Sequence, residues 1–403
     1  MHILALVAVL GPGLLAGLSD DDPAGVTTYS VLGAQHGYRL LWVLLLSTIA
    51  LVVFHSLGAR MGVVTGQGLI GLIRQRYGVR HAASAVAVLL LANMGTTCAE
   101  FAGIAAGFEL FGVSRYLSVP AAAIVVSVLV LRGSFHRVEH ILMGLATVFL
   151  AYIAAGLLGH PDWSQALRGL VVPTMPLTRD AVLIATATIG TTLAPWGLSF
   201  IQSYAVDKKI TPAELRYERI DVVTGAVLTG VIGFFIVVAC ASTLHVQDVT
   251  INSAADAAGA LKPLAGNLAS ALFGIGLIGA GLLAAAILPL STAYSVCEFT
   301  GSEAALDDQI ADASLFYITY MVVTSVAALI VLVPGAPLIP ILVLSQVLNA
   351  ILLLPLLAFM YGIARDRDLM GAYTATRRTA ALYLATIALI AMCVAALIVL
   401  GLT

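Results

Sequence analysis

The chain has 403 residues, of which 61% are apolar and 10% charged, and its net charge is -2. Soluble domains carry roughly 45–50% apolar and about 25% charged residues, so water is excluded as the main solvent of this protein. The near-neutral balance offers no field to recruit nucleic acid. Cys98, Cys240, Cys297 and Cys393 stand singly in apolar stretches, without the close pairs of a zinc site or a redox dithiol.

In chain order, apolar runs of the length that crosses a bilayer, about 20 residues, lie near 4–35, 40–64, 84–111, 117–134 and 138–159. A second series follows near 181–206, 221–245, 266–297, 314–334 and 338–362, and a last run covers 379–402. The first run lacks a basic leader and is expected to stay in the membrane rather than be cleaved. The chain thus reads as one all-α polytopic membrane domain, with 1–160 and 180–362 as two five-helix repeats and 379–402 as an eleventh helix. An N-terminus on the cytoplasmic side puts fourteen of the nineteen Lys and Arg residues on the inner side, as the positive-inside bias requires. The inner loop 297–314 is an exception, carrying Glu298, Glu303, Asp307, Asp308 and Asp312 and no basic residue. Acidic residues weigh little in orientation.

Two spans contain sequence that a continuous helix does not tolerate. Residues 11–25 read GPGLLAGLSDDDPAG, and residues 190–197 read GTTLAPWG. The two occupy corresponding positions in the proposed halves, and paired Gly/Pro interruptions of this kind mark midplane sites in inverted-repeat transporters. Pro23 and Pro195 have no amide hydrogen, so carbonyls one turn earlier, near Ser19 and Thr191, lose their helical partners. At membrane depth such carbonyls must be satisfied, and a cation satisfies them well. Asp22, a carboxylate beside them, completes the reading as a cation site. Asp20 and Asp21 are expected as outer-shell contacts to a hydrated ion or as charges at a vestibule. Thr191 and Thr192 either touch the ion's water or cap freed backbone. Gln346 and Asn349, one turn apart in the tenth span, either line the path or bridge helices. His136 and His140 read as a surface pair rather than a zinc site.

Ordered along the chain are DPAG (22–25), GAQHGY (33–38), LLW (40–42), GVVTG (62–66), CAE (98–100), GLVVPTMP (169–176), APWG (194–197), STAY (291–294) and LSQV (344–347). In this order the motifs resemble the Nramp (natural-resistance-associated macrophage protein) family of divalent-metal transporters, and look closest to its Nramp-related magnesium transporter branch. The resemblance implies a LeuT-like fold of two inverted five-helix repeats plus one helix, with a metal site between broken helices one and six. The usual family pattern is DPGN at the first break and a methionine before Pro-His at the second. Here Gly25 holds the Asn position, Ala194 the Met position and Trp196 the His position.

A thioether is a soft ligand that selects transition metals, so Ala194 removes that preference. Gly25 and Ala194 are small and widen the cavity, which suits Mg²⁺, an ion that keeps waters and takes one or two carboxylates. Mn²⁺ also accepts oxygen ligands. The family's proton relay resembles an Asp three residues before the third-helix Glu, with histidines on helix six. In this chain Thr97, Trp196 and Gln202 stand at those positions, while Glu100 remains as a residual relay group or a structural bridge. The expectation is uptake of Mg²⁺, and of Mn²⁺, across the cell membrane without proton coupling. The potential alone supplies roughly 4.6 kcal/mol per 100 mV for a divalent ion. The implied partners are divalent metal ions and the lipid bilayer, with no cofactor and no obligate protein partner. The alternatives are a proton-coupled Mn²⁺/Fe²⁺ carrier and a cation-coupled symporter of an organic solute. No motif with a nucleophile and base, and no HExxH, points to an enzyme.

Overall fold

A computed structural model describes residues 21–132, 147–302 and 313–402. Ser19, Asp20, His136, His140 and residues 303–312 lie outside the described residues. Every regular element among the described residues is helical, as a bilayer demands of a chain that must satisfy its backbone internally.

The first half supplies α1 (Pro23–His36), α2 (Leu41–Thr65), α3 (Leu69–Tyr77), α4 (Val79–Glu109), α5 (Arg115–Leu131) and α6 (Ala151–Leu158). A short α7 (Trp163–Val171) leads into α8 (Arg179–Thr192), α9 (Pro195–Asp207), α10 (Leu215–Thr243), α11 (Ala269–Thr300), α12 (Ser314–Val331), α13 (Leu338–Ala364) and α14 (Arg377–Leu402). Eight segments are long and apolar enough to span a membrane. Together with α1, the shorter apolar α5 and α6, they fall on the eleven expected runs. The bends between them follow local chemistry. Gly66 closes α2 and Gly301 closes α11 in left-handed conformations, which glycine adopts without a Cβ penalty.

The broken span 179–207 is 94% buried over its apolar window, whereas α14 is 22% buried. One is the central element and the other a peripheral helix facing lipid. α1 is equally enclosed, lying against α10, α8, α13 and α4. Glycines set these approaches: a Cβ on Gly33 would sit 2.9 Å from the Cβ of Cys240, and one on Gly107 would meet the Gly274 carbonyl at 3.0 Å. Without a hydrophobic drive between helices in lipid, small residues that admit close backbones are what make such packing favourable.

The end of the molecule that holds the 297–302 segment differs from the sequence expectation in one respect. Glu298 is not in a loop but in the last turn of α11. It accepts from the Ser203 hydroxyl of α9 at 2.6 Å and from the Ile70 amide of α3 at 3.1 Å. Arg74 of α3 donates to the Phe299 carbonyl at 2.8 Å, and Gln202 Nε2 donates to the Gln67 carbonyl at 2.9 Å. These contacts tie α3, α9 and α11 together beneath the breaks.

Candidate ion site at the two helix breaks

Asp21 and Asp22 are non-helical and α1 begins at Pro23, whose fixed φ suits the first helical position. Asp22 is the N-cap: its Oδ1 accepts from the Gly25 amide at 2.6 Å, and its carbonyl accepts from Val26 N at 2.9 Å. The carboxylate thus sits at the positive end of α1, where the helix dipole stabilises it. Gly25 contributes its amide and has no side chain to offer a ligand atom. Asp21 and Asp22 are 2% and 4% exposed. Asp21 is therefore interior in this conformation, and among the described residues neither of its carboxylate oxygens has a hydrogen-bond partner.

The second break separates α8 from α9 at Leu193 and Ala194. Leu193 N still donates to the Ile189 carbonyl at 2.9 Å, but Ala194 is extended (φ -82, ψ 145) and Pro195 has no amide to offer the Thr191 carbonyl. The negative end of α8 therefore meets the uncapped positive end of α9. Tyr29 of α1 and Thr192 share a 2.8 Å hydroxyl pair, which joins the two broken elements, and Thr192 donates back to the Thr188 carbonyl at 2.7 Å. Thr192 is thus committed to the scaffold. Thr191 is buried, and its Oγ1 has no partner, so the capping role does not extend to it.

Glu100 of α4 is fully buried beside Asp22. Its carboxyl meets that of Asp22, and among the described residues no amide or hydroxyl donates to it, so it does not tie α4 to another helix through such a donor. Asn349 of α13 does: it donates to Thr96 Oγ1 and to Gln346 Oε1, each at 2.9 Å. Gln346 also meets the break through its backbone, since its carbonyl lies where a Cβ on Gly190 would stand. Trp196 is buried in the first turn of α9, and its carbonyl accepts from Ser291 at 3.2 Å. Gln202 lies two turns further along, on the contact already described. Among the described residues no group of three or more His, Cys, Asp or Glu side chains is placed to hold a metal. What the break gathers is a carboxylate, main-chain carbonyls and a free hydroxyl, all oxygen.

A sequence model of the family described as natural resistance-associated macrophage protein-like matches residues 13–400. The chain belongs to the Nramp family. Among its relatives is a "Divalent metal cation transporter MntH" of Granulibacter bethesdensis, 28% identical over 92% of this chain and 83% of that protein. Another, of Pectobacterium carotovorum subsp. carotovorum, bears the same name and is 30% identical over 91% of this chain and 87% of its own length. Among solved structures, an Eremococcus coleocola manganese transporter superposes with a TM-score of 0.79 at 19% identity, covering 97% of this chain and 86% of that one. Mhp1, a nucleobase-cation-symport-1 family transporter, superposes with a TM-score of 0.60 at 15% identity, over 97% of this chain and 91% of its own. These likenesses establish the LeuT-like fold, and Nramp membership makes the chain a membrane transporter rather than an enzyme.

Sequence reasoning missed two buried acidic positions. Glu298 was assigned to a loop, and Glu218 of α10, fully buried with both oxygens unpartnered, was not singled out. Both lie just outside the apolar runs of the sequence, Glu218 before 221 and Glu298 after 297, so the rule that an ionisable residue inside a span marks a site did not reach them.

Proposed function

We propose that this Nramp protein takes up Mg²⁺, and Mn²⁺ as well, as a partly hydrated ion by alternating access, uncoupled from protons and driven by the membrane potential. The observation that carries this reading is the oxygen-only break, with Asp22 as its charge and the small residues Gly25 and Ala194 offering no softer side-chain ligand. Mg²⁺ gives up water reluctantly and takes one or two carboxylates plus waters. A thioether would favour softer metals, and Ala194 offers none. The MntH relatives are named as divalent metal cation transporters, which supports the cargo class. The N-terminus is cytoplasmic on the distribution of Lys and Arg, and the two halves 1–160 and 180–362 are the repeats that exchange access.

One observation favours a second reading. Glu100, buried with its carboxyl against that of Asp22, is a group that a proton-coupled carrier of Mn²⁺ or Fe²⁺ would use. An organic anion as cargo is disfavoured by the paired Asp21 and Asp22 carboxylates at the break. Uptake of Mg²⁺ and of Mn²⁺ into proteoliposomes, with internal pH recorded and Asp22→Ala as control, separates these readings. Mg²⁺ entering without acidification is the expected result. Acidification that scales with Mn²⁺ flux gives the second reading, and no flux of either ion defeats both.

A further inference from the structure

At the outer end of α1, away from the breaks, a cavity of about 600 Å³ opens between the 36–39 turn, α7 and the end of α10. Its frame is fixed. Gly169 of α7 lies so close to the Tyr38 carbonyl that no Cβ fits between them. Thr174 Oγ1 donates to the Arg39 carbonyl at 3.0 Å, and Trp42 Nε1 donates to the Thr174 carbonyl at 3.0 Å. His245 Nδ1 bonds the Ala34 carbonyl at 2.8 Å and lays its ring against Gly37, which needs its positive φ of 57°.

The lining is cationic. Arg39 and Arg168 both border the cavity, and neither forms an ion pair among the described residues. Asp162 also borders it, but its carboxylate is occupied at the start of α7, accepting from Gln165 N at 3.0 Å and Gln165 Nε2 at 2.8 Å. His36 lines the same space, and its buried Nε2 has no partner. A cation would meet two guanidinium groups against a single carboxylate, whereas an anion would find forked donors suited to phosphate.

α7 itself is amphipathic. Ala166 packs inward, while Trp163, Leu167 and Val171, four residues apart, are 40%, 57% and 71% exposed on one face. Gln165 lies on the opposite side, and Arg168 lies between the two, beside the apolar face. Such a helix lies in the membrane interface, with its tryptophan at headgroup level.

We propose that this cavity is a binding site for a phosphate group, held by Arg39 and Arg168 with His36 Nε2 as a further donor. The phosphate comes from the headgroup of an anionic phospholipid in the outer leaflet or from free inorganic phosphate. The site is independent of the ion path and does not rest on the cargo proposed above.

The test uses the full-length protein in neutral detergent. Native mass spectrometry after equilibration with phosphatidylglycerol reads lipid retention, and thermal unfolding reads the response to phosphatidylglycerol, to phosphatidylcholine and to inorganic phosphate. The expected result is phosphatidylglycerol retained on the wild type, at least about tenfold less on R39Q/R168Q, and restored on R39K/R168K. Stabilisation by inorganic phosphate, lost in R39Q/R168Q, identifies the free anion as the source instead. Equal phosphatidylglycerol retention by wild type and R39Q/R168Q, with no effect of phosphate, overturns the proposal. Should R39Q/R168Q not fold, the wild type decides alone: unfolding that is the same in phosphatidylglycerol and phosphatidylcholine, and indifferent to phosphate, overturns it too.

Discussion

At the first break the helix end is held by its own carboxylate, with Asp22 Oδ1 bound to the Gly25 amide at 2.6 Å. At the second, Ala194 caps nothing, and α8 and α9 present their bare ends. The first break therefore supplies formal charge and rigidity, and the second supplies main-chain dipoles. A hard ion needs both, because one carboxylate alone does not replace its hydration shell and dipoles alone do not offset the loss of water. On the function proposed above, selectivity would reside mostly at the second break, where a side chain of different softness can be installed without touching the charge.

Substitutions at the two breaks should separate these roles. The largest effect is expected for Asp22→Ala, which removes the charge and the N-cap together. Metal uptake in proteoliposomes should fall by at least roughly 100-fold, beyond the about 10–100-fold typical of outer-shell partners, and residual flux above a tenth of wild type would remove Asp22 from the ion's contacts. Ala194→Met should leave uptake measurable but shift the Mn²⁺-to-Mg²⁺ preference by about tenfold, or about 1.4 kcal/mol. Competition of unlabelled Mg²⁺ against labelled Mn²⁺ reads that ratio, and an unchanged ratio would place position 194 off the ion path.

Glu298→Gln acts below both breaks. It weakens a charge-assisted bond to Ser203, worth about 1.5–3 kcal/mol, and should favour opening at that end of the molecule. Thiol labelling of Gln67→Cys from that side should rise several-fold over the same cysteine in a Glu298 background. The smallest difference is expected between neighbours. Thr191→Val should weaken metal affinity about two- to fivefold, because its hydroxyl has no other partner, whereas Thr192→Val should cost about 1 kcal/mol of thermal stability through the Tyr29 pair and leave affinity unchanged. Equal effects of the two on affinity would erase the distinction.

Both breaks were legible in the sequence, because Pro23 and Pro195 with their neighbouring glycines forbid a helix whatever surrounds them. The spans were legible for a similar reason: apolar length is a local property. The difference between Thr191 and Thr192 was not, since adjacent residues on a helix face about 100° apart and only the partner helix, with Tyr29, decides which one is committed. Glu298 was hidden for the same cause. Its partners Ile70 and Ser203 are 228 and 95 residues away, and an acidic residue at the end of an apolar run looks like the start of a loop. The frame around Arg39 and Arg168 was equally unreadable, because it is made by contacts between the 36–39 turn and α7 across more than a hundred residues.

Pro23 is set between two glycines. Its ring occupies the place a Cβ on Gly103 of α4 would take, and a Cβ on Gly281 of α11 would come within 3.2 Å of it. Neither glycine can take a side chain without displacing that ring. A Gly103→Ala substitution would therefore push the start of α1 away from α4, and with it Asp22, the neighbouring residue and the proposed anchor of the ion.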